Sequence, residues 1–288
     1  MDIVYTQLRG VDKGFDGFMS KIIDSFYNIR ILDEIAEKDT VIHKIHPLMK
    51  VFTTFVFLIT AVSFGKYELS GLIPLIFYPI TIMALAEIPA IPILKRMIIV
   101  MPFIICIGAF NPFFDTNTIV IFSDITISAG WVSFVSLLLK GIMTILAAFI
   151  LIATTGMTKI AFSLRLMRVP QIFVMQLLLT YRYISVLIEE LARILRGYSL
   201  RSPYDKGIRF SSWGPLTGQL LLRTITRAQR VYQSMCCRGF VGEFNTGSEQ
   251  RFYIKDIGYF ISWSVFFIVV RYFDISNLIG TLMTGVGK

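Results

Sequence analysis

Cysteine and histidine are both scarce in this 288-residue chain. The three cysteines, Cys106, Cys236 and Cys237, form no CxxC pair. That spacing argues against a disulfide framework and against a structural zinc site. The two histidines, His43 and His46, have no third ligand beside them in the sequence. We therefore interpret them as structural residues and expect no metal bound by this chain.

Motifs for catalysis and for nucleotide binding are missing as well. Glu189 and Glu190 are adjacent, so they would point in different directions on a helix and could not act as paired catalytic carboxylates. Residues 65–67 read Gly-Lys-Tyr with no glycine five residues earlier, so they do not make a phosphate-binding loop. Residues 1–17 lack the apolar stretch of a cleaved signal peptide. We expect no catalytic residue and no cofactor in this chain.

Apolar residues are what the chain has in excess. Hydrophobic residues make up 55% of it, charged residues only 16%, and the mean hydropathy is +0.69. Much of this composition lies in runs close to the ~20 residues that cross a bilayer, which predicts an integral membrane protein. Pro102 is expected to kink the third run. The five predicted spans are residues 48–64, 69–86, 93–114, 131–156 and 257–273.

The placement of positive charge predicts how these spans are oriented. The net charge is +9, but residues 1–47 and the turn at Lys95 and Arg96 are rich in Lys and Arg, whereas residues 115–130 have none. By the positive-inside rule, the N-terminus is cytoplasmic and the protein is a multi-pass protein of the plasma membrane. This alternation favours contact with the lipid bilayer and gives no reason to expect a nucleic acid partner.

Four regions follow from this pattern. Residues 1–47 form a cytoplasmic N-terminal segment with an amphipathic stretch at 20–39, and residues 48–156 hold the first four spans. A long amphipathic cytoplasmic region, 157–253, separates them from the last span and the C-terminus at 254–288. The expected fold is an all-α membrane protein with about five transmembrane helices and two long amphipathic cytoplasmic helices.

Lys140 is a charge inside the fourth apolar run. One interpretation places it on a transport path within the membrane. The other begins the true span near Lys140, whose side chain then extends outward to water.

The region 157–253 contains two amphipathic helices with similar predicted ends. The first follows Pro170 and is expected to stop at Gly197, directly after Arg196. The second is expected from Leu216 to Arg238, with a stop at Gly239. An arginine at a helix end complements the helix dipole. Two copies of Arg-Gly-aromatic, however, suggest that both helix ends bind equivalent pockets on a partner.

These helices resemble those of a known family. The segments DTVIHKIHPLMKV (39–51), LRLMRVPQIFVMQLLLTYRYISVLIEEL (164–191) and RAQRVYQSMCCRGFVGEF (227–244) are similar to the T component of energy-coupling factor transporters, in its cobalt-type branch (CbiQ). The resemblance covers nearly the whole chain. It implies a membrane scaffold that joins two ABC-type ATPases to a membrane-embedded substrate-binding subunit, with ATP bound by the partner subunits.

The resemblance also implies which residues dock the ATPases. In the family, Ala-Arg-Gly or Ala-Arg-Ser triplets end the two coupling helices and enter grooves on the ATPases. The two triplets map to Leu195, Arg196, Gly197 and Cys237, Arg238, Gly239, although Leu195 and Cys237 replace the usual alanine. A competing first triplet is Leu200, Arg201, Ser202. The supporting residues expected on the coupling helices are Arg193, Arg201, Arg230 and Glu190.

The predicted function is therefore a non-catalytic scaffold of an ATP-driven importer, with cobalt ion as the substrate held by the separate subunit. A nickel or vitamin importer of the same kind is an alternative. Two other classes stay open: a stand-alone secondary transporter, for which Lys140 and Pro102 are the only signs, and a membrane-bound enzyme of lipid or cell-envelope chemistry.

Overall fold

The computed structural model describes residues 35–66, 68–114, 118–122, 125–202, 208–240, 242 and 252–272. Residues 20–34 of the predicted amphipathic stretch lie outside these ranges. The chain divides into two compact units. We call Asp33–Ser163 with Glu249–Lys288 the core unit, and Met1–Leu32 with Leu164–Ser248 the arginine unit.

Helices dominate both units. The core unit contains α1 (Pro47–Ser63), α2 (Leu69–Leu72), a 3₁₀ turn (Pro74–Ile76), α3 (Phe77–Leu85), α4 (Ala90–Gly108), α5 (Asn111–Phe114), strands β1 (Thr118–Phe122) and β2 (Ile125–Ser128), α6 (Ala129–Thr155) and α10 (Ile254–Tyr272). The arginine unit contains α8 (Gln171–Arg201) and α9 (Phe210–Cys237), and α7 (Met157–Leu166) runs across the boundary in sequence.

The predicted all-α membrane fold is confirmed, and each predicted span corresponds to helix. Among the described residues, three helices are long and apolar enough to cross a bilayer: α4, α6 and α8, of which α8 was predicted as a cytoplasmic helix and not as a span. Residues 47–63 and 74–85 form shorter apolar helices, and the last predicted span coincides with α10. The predicted outer loop 115–130 contains a short antiparallel hairpin, in which Thr118 pairs with Ser128. The sequence pattern did not indicate this hairpin.

Aromatic side chains fill the centre of the core unit. The Phe57 ring lies 4.8 Å from Tyr78 and 5.4 Å from Phe267, measured between centroids. Trp263 contacts Tyr78 edge to face at 4.9 Å. Phe57 and Phe267 are fully buried. Such aromatic pairs contribute about 0.5–1.5 kcal/mol each beyond the area that they bury, so this cluster joins α1, α3 and α10.

Buried polar groups join α1, α6 and α10 at one end of the core unit. We call this group the Asp256 cluster: His46, Lys50, Thr154 and Asp256. The Asp256 carboxylate accepts the backbone N–H of His46 (3.2 Å) and of Tyr253 (2.9 Å). Lys50 donates its Nζ proton to the Thr154 carbonyl at 2.9 Å. The cluster therefore ties the start of α1 to the end of α6 and to the start of α10.

The two histidines belong to this end of the core unit. His46 Nδ1 accepts the backbone N–H of Leu48 and so caps α1, while its ring stacks on Phe252 at 3.8 Å. His43 Nδ1 lies 2.7 Å from the Thr40 hydroxyl. Burial lowers the pKa of His43, and the charge of Lys50 lowers it further. Both histidines are buried and hold the segment that leads into α1.

A second polar group lies at the C-terminal end of α1. We call it the Lys140 cluster: Lys140, Arg271, Glu68 and the carbonyls of residues 63–65. Lys140 Nζ donates to the carbonyls of Phe64 (2.6 Å) and Gly65 (3.0 Å). Arg271 donates to the Ser63 carbonyl and to Glu68, both at 3.1 Å. The two cations therefore satisfy the carbonyls that a helix end leaves free.

Lys140 lies in the middle of α6, which extends from Ala129 to Thr155. Where along this helix the membrane span begins stays a prediction. The Lys140 ammonium extends to the end of α1 instead of toward the end of its own helix. The backbone N–H of Gly65, followed by Arg271, holds the pKa of Glu68 below its usual range. Glu68 stays ionised in this position and balances part of the positive charge of the Lys140 cluster.

Candidate functional site: two helices with arginine ends

The arginine unit is built from α8 and α9, which contact each other through a small apolar cluster. Its centre is Leu195, only 2% exposed. Around Leu195 pack Leu191, Ala192, Tyr198, Ile208 and Leu216. The Tyr198 hydroxyl lies 3.4 Å from that of Ser212, close to the start of α9. These contacts hold the last turns of α8 against the first turns of α9.

The predicted end of α8 at Gly197 is wrong. The helix continues through Gly197 to Arg201, and the Ser202 N–H still donates to the Tyr198 carbonyl at 3.0 Å. Packing of Leu195 and Tyr198 in the apolar cluster supports the last turn. This packing outweighs the cost of about 1 kcal/mol for a glycine inside a helix.

The exposure of the two possible first triplets differs. Leu195 is buried and Arg196 is half-buried, so the triplet 195–197 presents only part of its surface. Leu200, in contrast, is 66% exposed, and Arg201 is the exposed last residue of α8. The competing triplet Leu200, Arg201, Ser202 is therefore the one at the helix end.

The end of α9 agrees with the prediction. Gly239 has a φ of +80°, the Phe240 N–H donates to the Met235 carbonyl and the Gly239 N–H donates to the Cys236 carbonyl, both at 3.0 Å. This pair of bonds is a Schellman motif, which favours glycine at the left-handed position. Arg238 is exposed directly before this glycine, and Cys237 is exposed as well.

The start of α9 lies earlier than predicted. The helix begins at Phe210, six residues before Leu216, and Pro215 lies inside it. None of its 28 residues is buried. Its apolar stripe includes Leu221 (59% exposed) and Tyr232 (61% exposed). An uncovered stripe on a helix of this length is a surface for a partner or for lipid.

Two of the expected supporting residues, Glu190 and Arg193, form an ion pair on α8. Glu190 accepts a hydrogen bond from Arg223 at 2.7 Å and forms an ion pair with Arg193 at 3.3 Å. Arg230 lies two turns beyond Arg223 on α9 and lines the same groove as Glu190. Glu190 and Arg230 thus line one groove, Arg193 contacts it only through Glu190, and Arg201 lies at the helix end. Arg223 was not predicted.

The two glycines provide a matched test of these helix ends. Apart from the adjacent residues and the local helix backbone, no atom of the described residues lies within 4 Å of a Cβ added at Gly197 or at Gly239. Gly197→Ala is expected to raise the free energy of unfolding by about 0.5–1 kcal/mol, because alanine is favoured inside a helix. Gly239→Ala should lower it by about 1 kcal/mol, because only glycine adopts a positive φ without cost. The midpoint of thermal unfolding in detergent measures both, and shifts of the same sign would contradict this assignment of the helix ends.

The fold and the uncovered helices define the class of the molecule: a multi-pass, all-α membrane protein. The family model of the cobalt transport protein family (CbiQ) matches residues 38–249, and the chain belongs to this family. The uncharacterized protein MJ1571 of Methanocaldococcus jannaschii is 23% identical over 276 residues, which cover 91% of this chain and 93% of that protein. The chain is thus a membrane component of the cobalt transport family, whose members usually work within multi-subunit transporters.

Proposed function

We propose that this chain is the non-catalytic T component of an energy-coupling factor importer. In this role it joins two cytoplasmic ABC-type ATPases to a separate membrane subunit that holds the substrate. The observation that carries the proposal is the pair of long helices, α8 and α9, each with an exposed arginine at its C-terminal end. Membership of the cobalt transport family supports the transport role.

The two helix ends are the proposed docking points for the ATPases. Arg238 docks one ATPase together with Cys237 and Gly239. For the other ATPase we prefer Leu200, Arg201 and Ser202 over Leu195, Arg196 and Gly197, because the second of these two sets is partly buried and lies inside the helix. A guanidinium offers donors in a fixed fork, which suits a pocket lined by carboxylates or carbonyls.

Coupling then follows from the rigidity of the helices. ATP binding brings the ATPases together, and the arginines held in their grooves move with them. The helices α8 and α9 transmit this displacement along their length, and their exposed apolar stripe passes it to the substrate-binding subunit. Because a helix rises about 1.5 Å per residue, helices of 31 and 28 residues extend the motion over several tens of ångströms. The positive-inside rule supports a cytoplasmic position for the docking ends.

The proposed substrate of the complex is cobalt ion, as the name of the family indicates. Nickel and vitamins are the alternatives, and uptake of radioactive cobalt, nickel and vitamins by cells that express the complete complex decides between them. Saturable, ATP-dependent uptake of cobalt is expected. Uptake of a vitamin or nickel in preference to cobalt would contradict the choice of substrate but not the scaffold role.

Docking is tested by charge reversal in the complete complex. Arg201→Glu and Arg238→Glu are each expected to weaken retention of the ATPases. The double variant should retain at most about one tenth of the wild-type amount, because each lost charge-assisted hydrogen bond contributes about 1.5–3 kcal/mol. The measurement is co-purification of the ATPases with the tagged chain. Arg182→Glu is the matched control, since Arg182 is exposed on α8 away from its end.

Arg196→Glu separates the two first triplets. If it weakens retention more than Arg201→Glu does, the triplet 195–197 is the docking point. Two double variants test the proposed function as a whole: Arg201→Glu with Arg238→Glu, and Arg196→Glu with Arg238→Glu. The proposed function would be contradicted if both retained the ATPases fully and kept full ATP-driven uptake. Transport by the reconstituted chain without any ATPase would indicate a secondary transporter instead.

A further inference from the structure

A groove of about 350 Å³ lies between α8 and α9 within the arginine unit. It is separate from the two docking ends: its nearest arginine on α9, Arg230, lies eight residues before Arg238. The groove combines basic and apolar side chains. Those that matter for its chemistry are Glu190, Arg223, Arg227, Arg230, Leu187 and Leu222.

The charges in this groove are unequal. Glu190 is the only carboxylate among the described residues that line it, and its oxygens are already engaged by Arg223 and by Arg193 outside the lining. Arg227 and Arg230 are exposed and form no hydrogen bond or close ion pair within the part of the chain that the structure describes. Arg227 interacts with Glu190 only through its charge. Both guanidinium groups therefore keep their donors for an anion, and their fork of donors matches phosphate oxygens.

The walls of the groove indicate what carries the phosphate. Leu187 and Leu222 are 36% and 68% exposed beside the arginines. A free phosphate ion would make no use of an apolar wall. A phospholipid would use both the arginines and the apolar wall, since its glycerol joins the phosphate to the acyl chains. The same combination of basic residues and apolar surface is typical of sites for anionic lipid headgroups.

The sequence of α8 places this groove at the right depth for a lipid. Residues 171–181 carry no charge, and the charged residues of the helix begin at Arg182. One part of the helix is apolar enough, and the helix is long enough, to cross a bilayer by composition and length. The groove begins at Val186, four residues after the first charge. A change from uncharged to charged residues is expected where lipid phosphates meet the hydrocarbon region, so this pattern supports a position of the groove beside the headgroups.

We propose that this groove binds the headgroup of an anionic phospholipid. Arg227 and Arg230 hold the phosphate, Leu187 and Leu222 contact the first carbons of the acyl chains, and the lipid fastens the arginine unit to the membrane surface. Glu190 limits the affinity, because its negative charge opposes the phosphate and engages Arg223. This site does not depend on the identity of the transported substrate or on the ATPases.

The test uses the purified full-length chain in detergent, titrated with dioleoylphosphatidylglycerol or dioleoylphosphatidylcholine and observed by native mass spectrometry. Wild type is expected to bind the anionic lipid at least tenfold more tightly than the zwitterionic one. Arg227→Gln with Arg230→Gln should weaken binding of the anionic lipid on the order of tenfold or more, since each basic residue near an anionic lipid contributes about 1 kcal/mol. The matched control is Arg168→Gln with Arg182→Gln, which removes the same charge from exposed positions outside the groove.

A variant with the opposite sign separates lipid binding from general damage to the fold. Glu190→Gln should strengthen binding of the anionic lipid severalfold, which a misfolded protein would not do. Equal affinity in wild type and in the Arg227 and Arg230 double variant would overturn the proposal, and so would an equal loss in the control. Displacement of the lipid by millimolar inorganic phosphate would assign the groove to a soluble anion. Tighter binding of a poly-glutamate peptide, dependent on Arg227 and Arg230, would assign it to an acidic protein segment.

Discussion

Asp256→Ala is expected to lower the free energy of unfolding by about 3 kcal/mol. The carboxylate is only 4% exposed and accepts two backbone N–H groups, from His46 and from Tyr253. A hydrogen bond to a charged group contributes about 1.5–3 kcal/mol, and a buried donor left without an acceptor costs its full desolvation. Tyr253 directly precedes α10 and Asp256 is its third residue, so the variant also loses a cap of this helix.

Two measurements follow the loss of stability. Size-exclusion chromatography after heating in detergent gives the fraction of protein that stays folded, and unfolding in SDS gives the free energy of unfolding. Asp39→Ala is the control, because it removes the same side chain from an exposed position in the same unit and should change stability by no more than about 0.5 kcal/mol. Asp256→Asn should lie between the two, since its amide oxygen still accepts one bond. If Asp256→Ala behaves like Asp39→Ala, the Asp256 cluster does not hold the helices together.

The positions of the membrane helices could be predicted from the sequence because hydropathy depends only on local composition. The predicted first span, 48–64, differs from α1 by one residue at each end, and the last predicted span, 257–273, begins three residues inside α10. The end of α9 was predictable for the same reason. A glycine after an amphipathic run is a local signal, and Gly239 does adopt the left-handed conformation.

The predictions that were wrong concern contacts between distant residues. Gly197 looked like a helix stop, but Leu195 packs against Ile208 and Leu216, and this packing carries the helix one turn further. Leu216 was the predicted start of α9, yet the helix begins six residues before it and contains Pro215. The bond that Pro215 cannot make would reach the carbonyl of Ser211, which lies on an exposed part of the helix where water can satisfy it.

The polar clusters of the core unit were the least predictable part. His46 and Asp256 are 210 residues apart in sequence, and Lys140 is 75 residues from Gly65. The sequence did offer one signal that the prediction did not use. Lys50 is a charged residue near the start of a predicted span. A charge in an apolar helix indicates that a partner exists, but only the fold identifies the partner as the end of α6.

Lys140→Met is expected to lower the free energy of unfolding by about 2 kcal/mol. The ammonium donates to two carbonyls beyond the end of α1, and no other described side chain donates to either of them. Methionine fills a similar volume but leaves both carbonyls without a donor. Arg271→Met should cost about 1 kcal/mol, because its side chain is 37% exposed and water replaces part of the lost contact.

Lys140 and Lys66 both line a cavity of about 470 Å³. The control is Lys66→Met, which should change stability little because Lys66 is exposed. A role in stabilising the end of α1, which the contacts of Lys140 indicate, and a place on a transport path predict opposite results for transport by the complete complex. If Lys140 stabilises the end of α1, the variant loses stability while the protein that remains folded transports at the wild-type rate per molecule, and Lys140→Arg restores most of the stability. If Lys140 lies on a transport path, the variant keeps its stability and loses uptake.

Because both cations of the Lys140 cluster bond to neighbouring carbonyls of one helix end, combining Lys140→Met with Arg271→Met should give a loss that differs from the sum of the single losses. A strictly additive result would mean that the two side chains act independently.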